Sequence, residues 1–222
     1  MHDLTVACVY WEGNFRKRNF APGWALRLKS MTERYIRSDF DFVVITNVPH
    51  KFPAHVRTIP LVEGLPGWWA KINLFDPLLD IGQRILYLDL DVLLINDLTP
   101  LIEYSTPAIR GCFSGKPTTK PDDMGQVIRY NSSVMLWDRG QLSDVYTEFS
   151  SSAISKFRGD QDWLGSVYPS LNLFPDKWIV KLRSLRKVNP LRTPGDIKVV
   201  LSMPWKNDVA AKKFKWVKEV WQ

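Results

Sequence analysis

Short apolar or β-branched runs alternate along the chain with stretches whose apolar residues recur at helical spacing. That order builds an α/β domain around a mostly parallel sheet. Leu4–Tyr10 is apolar almost throughout, as a central strand covered on both faces must be. From Trp24 to Arg37, residues Trp24, Leu28, Met31 and Tyr35 fall at i, i+4, i+7 and i+11, on one face of a helix. Phe42–Thr46 reads as the second strand, ended by Asn47-Val48-Pro49, and Val56–Ile59 as a third. Gly64-Leu65-Pro66-Gly67 then breaks the chain before a helix expected from Trp68 to about Leu79. Arg84–Ile95 (RILYLDLDVLLI) is the strongest apolar segment, a strand interrupted by two acids. Ile109–Phe113 and Val134–Trp137 read as further strands, 141–157 and 161–168 as helices, and Lys177–Leu182 and Ile197–Ser202 as late strands. A closing helix over 208–221 would put Ala210, Phe214, Val217 and Trp221 on one face. With no internal repeat and no long linker, the expectation is a single-domain α/β fold whose mostly parallel central sheet is flanked by helices.

A chain of 222 residues with 45% hydrophobic content can bury a core without disulfides or a structural metal. No charge-free run reaches the roughly 18 residues of a membrane span. Asp3, Glu12 and Arg16 interrupt the region where a signal peptide needs its apolar stretch, so the chain is expected to be soluble and cytoplasmic. Cys8 and Cys112 sit in apolar, strand-like contexts, which suits buried thiols in a reducing compartment. Charge changes the picture more. Segment 177–222 holds twelve Lys/Arg against three acids, nine net positive charges in a chain whose total is +7. The chain therefore divides into a core over 1–176 and a basic C-terminal segment over 177–222, which points to an anionic partner.

The two acids in the apolar segment carry the chemistry. Asp89 and Asp91 are set among aliphatic residues, where burying an unpaired carboxylate costs several kcal/mol. Spaced i and i+2, they share one face of a regular strand or gather at its end if the strand breaks. Two adjacent carboxylates repel unless a cation lies between them, and oxygen-only ligands suit Mg²⁺ or Mn²⁺ completed by phosphates and water. An idle turn pair between two short strands is the plain alternative.

RILYLDLDVLLINDL, preceded by GWWAKINLF and followed by YNSSVMLW and GDQDWL, resembles the metal-dependent nucleotide-sugar glycosyltransferases of the A-type fold, close to glycosyltransferase family 8. The resemblance spans residues 4–168. It implies transfer of a hexosyl or pentosyl group from a UDP- or GDP-linked donor, with the anomeric configuration retained. In that family the acid pair holds Mn²⁺ or Mg²⁺ against the donor diphosphate, a role that falls here on Asp89 and Asp91. The end of the first strand, Val9 and Tyr10, corresponds to the region that holds base and ribose. Lys71 matches a basic position near the donor phosphates or the acid pair. Asn131, Ser132 and Ser133 match a segment that contacts the donor sugar, with Ser133 in place of the usual Gly. Asp160, Gln161 and Asp162 match the segment beside the anomeric carbon, the first Asp bonding sugar hydroxyls and the Gln lying opposite the leaving group. Asp160 after Gly159 also suits a helix N-cap. The family's late His ligand has no counterpart in VVLSMPWKND, since the histidines are His2, His50 and His55. Water, Ser202, Asn207 or Asp208 would complete the metal shell.

The basic segment suggests the acceptor side, with Lys206, Lys212 and Lys213 as candidate contacts. An anionic polymer such as DNA carrying modified bases, or an anionic membrane glycolipid, would supply the matching charge. Two other classes compete. A haloacid-dehalogenase-like phosphatase also follows an apolar strand with Asp-x-Asp, and Ser114, Lys116 or Lys120, and Asp122-Asp123 could stand as its later motifs. There, however, the motif ends the first strand, and here three strands precede it. A non-catalytic nucleic-acid-binding protein would explain the basic segment with Trp205, Trp216 and Trp221 but would leave Asp89 and Asp91 idle.

Overall fold

The computed structural model describes residues 2–15, 20–62, 64–113, 127–185, 187–192, 195–202 and 207–222. Strand β1 (Leu4–Tyr10) is buried at all of its positions, because both faces of the sheet are covered. Leu4, Val6, Cys8 and Tyr10 enter one apolar layer, and Ala7 and Val9 the other. Helix α1 (Gly23–Tyr35) turns Trp24, Ala25, Leu28 and Met31 into the first layer. It is followed by β2 (Asp41–Thr46) and β3 (Arg57–Pro60). The second layer centres on Gly67–Phe75, where every residue from Trp69 to Phe75 is buried.

That segment was expected to be an α-helix reaching Leu79 and is instead a run of 3₁₀ turns ending at Phe75. Apart from Lys71 and Asn73 the stretch is apolar, so its pattern shows no helical stripe. Asn73 also competes with an α-helical ladder by donating to the Ala70 carbonyl oxygen and accepting from Val62 N–H.

The apolar segment 84–95 divides into β4 (Arg84–Leu88) and β5 (Val92–Leu94). Helix α2 (Thr99–Ile102) leads to β6 (Ala108–Gly111) and then β7 (Tyr130–Asp138), which begins earlier than its apolar part and so takes in Asn131-Ser132-Ser133. The helix expected over 141–157 is two short ones, α3 (Asp144–Thr147) and α4 (Ser152–Lys156). The serine run 150–152 separates them, and Ser150 and Ser152 bond each other at 2.8 Å instead of sustaining a helix. Helix α5 (Asp160–Val167) precedes β8 (Asn172–Leu173), an exposed two-residue edge strand with no apolar pattern to announce it. Strands β9 (Ile179–Lys181) and β10 (Val199–Leu201) follow.

The central sheet has seven strands in the order β3-β2-β1-β4-β7-β6-β8. Its β3/β2, β2/β1, β1/β4 and β6/β8 pairs are parallel, and β7 runs antiparallel to β4 and β6. This is the expected single-domain α/β architecture. A second sheet, β5-β10-β9, is built mostly from the basic segment.

The closing helix is split into α6 (Asn207–Lys213) and α7 (Lys215–Val220) by Phe214, whose backbone is extended. The break changes the buried face: Trp216, Val217, Val220 and Trp221 go inward while Phe214 stays partly exposed. Trp221 then sits 4.9 Å from Trp24, and Arg34 of α1 donates to the Val220 carbonyl oxygen at 2.6 Å. Among the described residues no helix is long and apolar enough to cross a membrane.

Candidate active site

The parallel strands β1 and β4 end at a cavity of about 620 Å³, the usual position for ligands in open α/β sheets. Its centre is the turn between β4 and β5. Asp89 N–H continues the β4/β7 ladder by donating to the Ser133 carbonyl oxygen at 2.9 Å, and Val92 N–H closes the turn onto the Asp89 carbonyl at 3.3 Å. Leu90 is buried, while Asp89 and Asp91 remain partly exposed and line the cavity. Ser202, directly after β10, donates its hydroxyl to the Asp91 carbonyl oxygen at 2.9 Å. One turn thus joins the two sheets.

Lys71 reaches this turn from the 3₁₀ segment. Its Nζ lies 2.8 Å from Asp89 Oδ1 and 3.4 Å from Asp160 Oδ2, and donates to Ser132 Oγ at 3.2 Å. Ser132 Oγ donates in turn to Asp160 Oδ2 at 2.6 Å, and the Tyr87 hydroxyl to Asp89 Oδ1 at 2.6 Å. Burial opposes the charge on Lys71, but the charges of Asp160 and Asp89 outweigh it and hold the ammonium well above its ordinary range. Burial raises Asp160 above the usual carboxylate range, against the pull of Lys71 and the Ser132 hydrogen bond. Burial also lifts the Tyr87 phenol, helped by the Asp89 charge, so it remains a donor.

Asp160 is the first residue of α5, and its carboxylate goes to Ser132 and Lys71; no side chain caps this helix, whose N-cap is Gly159. The capping role suggested by sequence is therefore not the one Asp160 takes. Gly159 is required by space, since a Cβ there would stand 2.8 Å from Trp68 Nε1. Gln161 lines the cavity beside Asp160. Asp162 also lines it and is gripped by Arg158 through Nε at 2.7 Å and Nη2 at 2.9 Å, a bidentate pair that fixes the start of α5. Asn131 and Ser133, flanking Ser132, also line the cavity, with Asn131 Oδ1 accepting from Ser133 N–H at 3.3 Å.

The fold thus brings together Val9, Lys71, Asp89, Asp91, Asn131, Ser132, Ser133, Asp160, Gln161 and Asp162. Tyr10 stands apart. Strand parity turns its ring into the α1 layer, 5.5 Å from Phe52, with its hydroxyl 3.1 Å from Glu12 Oε2 and 3.2 Å from the Phe20 carbonyl. The aromatic wall is made instead by Trp11, Phe15 and Trp68. Gly67 (φ +60°), where a Cβ would meet the Phe15 ring at 2.0 Å, was the sequence's sign of that close packing. Lys181 and Arg183 also line the cavity; their place depends on strand pairing that no local motif reveals. Lys212 and Lys213 lie exposed in the last turn of α6 and do not line it. Lys206 and Trp205, with Ser114, Lys116, Lys120, Asp122 and Asp123, lie outside the described residues.

No family model matches the sequence, and no curated protein matches it. Solved structures do. The galactosyltransferase LgtC, in complex with donor and acceptor sugar analogues, superposes with a TM-score of 0.63 at 15% identity over 98% of this chain and 96% of its own. The chain has the A-type glycosyltransferase fold. An active-site mutant of LgtC that exchanges Gln for Glu gives 0.66 at 16% identity, over 91% of this chain and 89% of that one. The glycosyltransferase GlyE of Streptococcus pneumoniae TIGR4 gives 0.63 at 13%, over 97% of this chain and 63% of its own.

Within this A-type fold, the acid pair can be tested as a cation site. Among the described residues no three of His, Cys, Asp and Glu cluster to hold a metal. The Ser202 hydroxyl is committed to the Asp91 carbonyl, and Asp208 pairs at the surface with Arg27 and Trp221 Nε1 at 3.0 Å. Asn207 is fully buried, with its amide unpartnered among the described residues, but does not line the cavity. Among the described residues the candidate oxygen donors are thus the carboxylates of Asp89 and Asp91, a set that would suit an oxygen-loving divalent ion completed by a diphosphate and water.

Proposed function

We propose that this chain transfers a sugar from a UDP- or GDP-linked donor to an acceptor hydroxyl, with Asp89 and Asp91 holding Mn²⁺ or Mg²⁺. The observation that carries this reading is the single cavity in which the Asp89–Asp91 turn faces the Lys71–Ser132–Asp160 chain, in a fold shared with LgtC. When bound, the ion would neutralise the departing diphosphate.

The remaining work falls to the chain's own groups. Lys71 holds Asp89 and Asp160 in place and offsets part of their negative charge beside the donor. Asp160, pinned by Ser132, accepts hydrogen bonds from sugar hydroxyls. Gln161 presents its amide to the face of the sugar opposite the departing diphosphate, and LgtC has an active-site Gln whose exchange for Glu has been studied. Val9 and the Trp11 and Phe15 rings receive the base and ribose, and Asn131 and Ser133 contact the sugar. The anomeric configuration is retained. The acceptor is anionic, either DNA bearing modified bases or a membrane glycolipid, drawn by the +9 of segment 177–222, with Lys206, Lys212 and Lys213 of that segment as candidate contacts.

Hydrolysis of UDP-, GDP- and ADP-sugars with and without Mn²⁺ tests the proposal. At least one donor should be cleaved in a metal-stimulated way, and Asp89→Asn or Asp91→Asn should reduce that rate by roughly 10²-fold or more. Absence of hydrolysis with every donor and metal, or wild-type rates in both variants, would overturn it. The anomeric proton coupling of the first product, read by NMR, tests retention.

A further inference from the structure

The walls of the cavity differ in chemistry from side to side. Val9 and Trp11 mark the β1 side, and the turn carrying Asp89 and Asp91 lies at the centre, at the end of β4. Lys181 and Arg183 come from the far side. Strand β9 is tied to β6 by Arg110, whose Nε donates to the Ile179 carbonyl at 3.1 Å, and β6 lies beyond β7 from β4. In the second sheet, Lys181 pairs with Leu201, and Leu201 with Val92 just after the turn. Two strand spacings, about 10 Å, therefore separate the Lys181 backbone from the acid pair.

The cationic wall is organised. Lys181 Nζ stands 4.3 Å from the centre of the Phe113 ring, and the Arg110 guanidinium 4.5 Å from the same centre. Asp176 neutralises Arg110 at 2.6 Å. No carboxylate among the described residues pairs with Arg183, which is exposed at the cavity wall two residues beyond Lys181. A ligand spanning the cavity from the β1 side would leave its diphosphate at the centre, so the charge of Arg183 on the far wall, beside Lys181, faces the other substrate.

We infer that Lys181 and Arg183 form an anion subsite for the acceptor, and that the acceptor carries a phosphate group within reach of the hydroxyl that receives the sugar. This rests on the glycosyltransferase reading of the cavity. A walled site of about 620 Å³ admits a headgroup or a phosphorylated glycan end rather than a duplex, which sets a phosphate-bearing small acceptor ahead of DNA. The phosphate could belong to a lipid headgroup or to a soluble sugar or polyol phosphate.

Titration of the intact protein with glycerol 1-phosphate and with glycerol, followed by tryptophan fluorescence with UDP and Mn²⁺ present or absent, tests the inference. Glycerol phosphate should bind at least about tenfold more tightly than glycerol in both conditions. Arg183→Gln should remove most of that preference, whereas Lys29→Gln on α1 should not. Vesicles separate the sources. Arg183-dependent sedimentation with phosphatidylglycerol but not phosphatidylcholine assigns the phosphate to a lipid, and soluble binding alone assigns it to a free phosphate. Equal affinity for glycerol and its phosphate, or displacement of glycerol phosphate by UDP, would overturn the subsite. So would Arg183-dependent retention of duplex DNA in place of glycerol phosphate binding. The titration needs no sugar donor, so failure of donor hydrolysis and failure of this subsite are seen separately.

Discussion

Lys71 governs the charge balance of the cavity: two carboxylates and a hydroxyl converge on one buried ammonium. Removing it leaves Asp160 buried and uncompensated, so Lys71→Met should lower unfolding free energy by roughly 3 kcal/mol. Adding Asp160→Asn should restore part of that loss, since the second change removes the stranded charge; urea melts of both variants measure it. Tyr10 makes a different prediction. Burial, with the Glu12 hydrogen bond, pushes its phenol from 10.0 up to about 12. The folded state keeps the neutral ring while the unfolded chain ionises, so its contribution is complete below 10 and fades as pH climbs toward 12. Tyr10→Phe should flatten that part of the alkaline stability profile, read as Tm against pH. Asp89 and Asp91 stand out in the sequence as acids inside an apolar run, whereas Lys71, Asn131 and Asp160 are singled out only by the resemblance of their motifs; the fold brings all five to one cavity. Tyr10 lies away from the cavity because adjacent strand residues face opposite layers; Val9 and Tyr10 are both buried, and only the layer each side chain enters tells them apart.

Strands were easier to read than helices. β1, β2 and β4 are uninterrupted apolar runs, and their length and order led directly to the parallel centre of the sheet. The stretches 141–157 and 208–221 each look like one helix in sequence because their apolar spacing survives a serine run or a single extended residue, which only hydrogen bonding exposes. The break at Phe214 has a measurable consequence. It brings Trp216 into the core with its Nε1 buried and unpartnered among the described residues. Trp216→Ala should cost about 3–5 kcal/mol through the cavity it opens. Trp216→Phe should cost much less, because the ring is kept and an unsatisfied N–H is lost. Thermal denaturation of the pair distinguishes packing from polarity at this site.

Across the whole molecule, charge and architecture are partly decoupled. Segment 177–222 was legible as basic, yet Lys212 and Lys213 face solvent on α6, while Lys181 reaches the cavity through β10. Local sequence cannot reveal this, because the small sheet is assembled from strands a hundred residues apart. Its three strands have only three residues each and are held chiefly by burial, since Val92, Leu93, Leu94, Ile179, Val199 and Val200 are all fully buried. The turn at Asp89 and Asp91 is shared by this sheet and the cavity. A nucleotide captured there would therefore work as a clasp, and amide deuteration at Val200 and Leu201 should slow by the same factor, 1 + [L]/Kd, by which the ligand populates the closed form. Those backbone amides would then gauge occupancy from inside the protein, before any product is made.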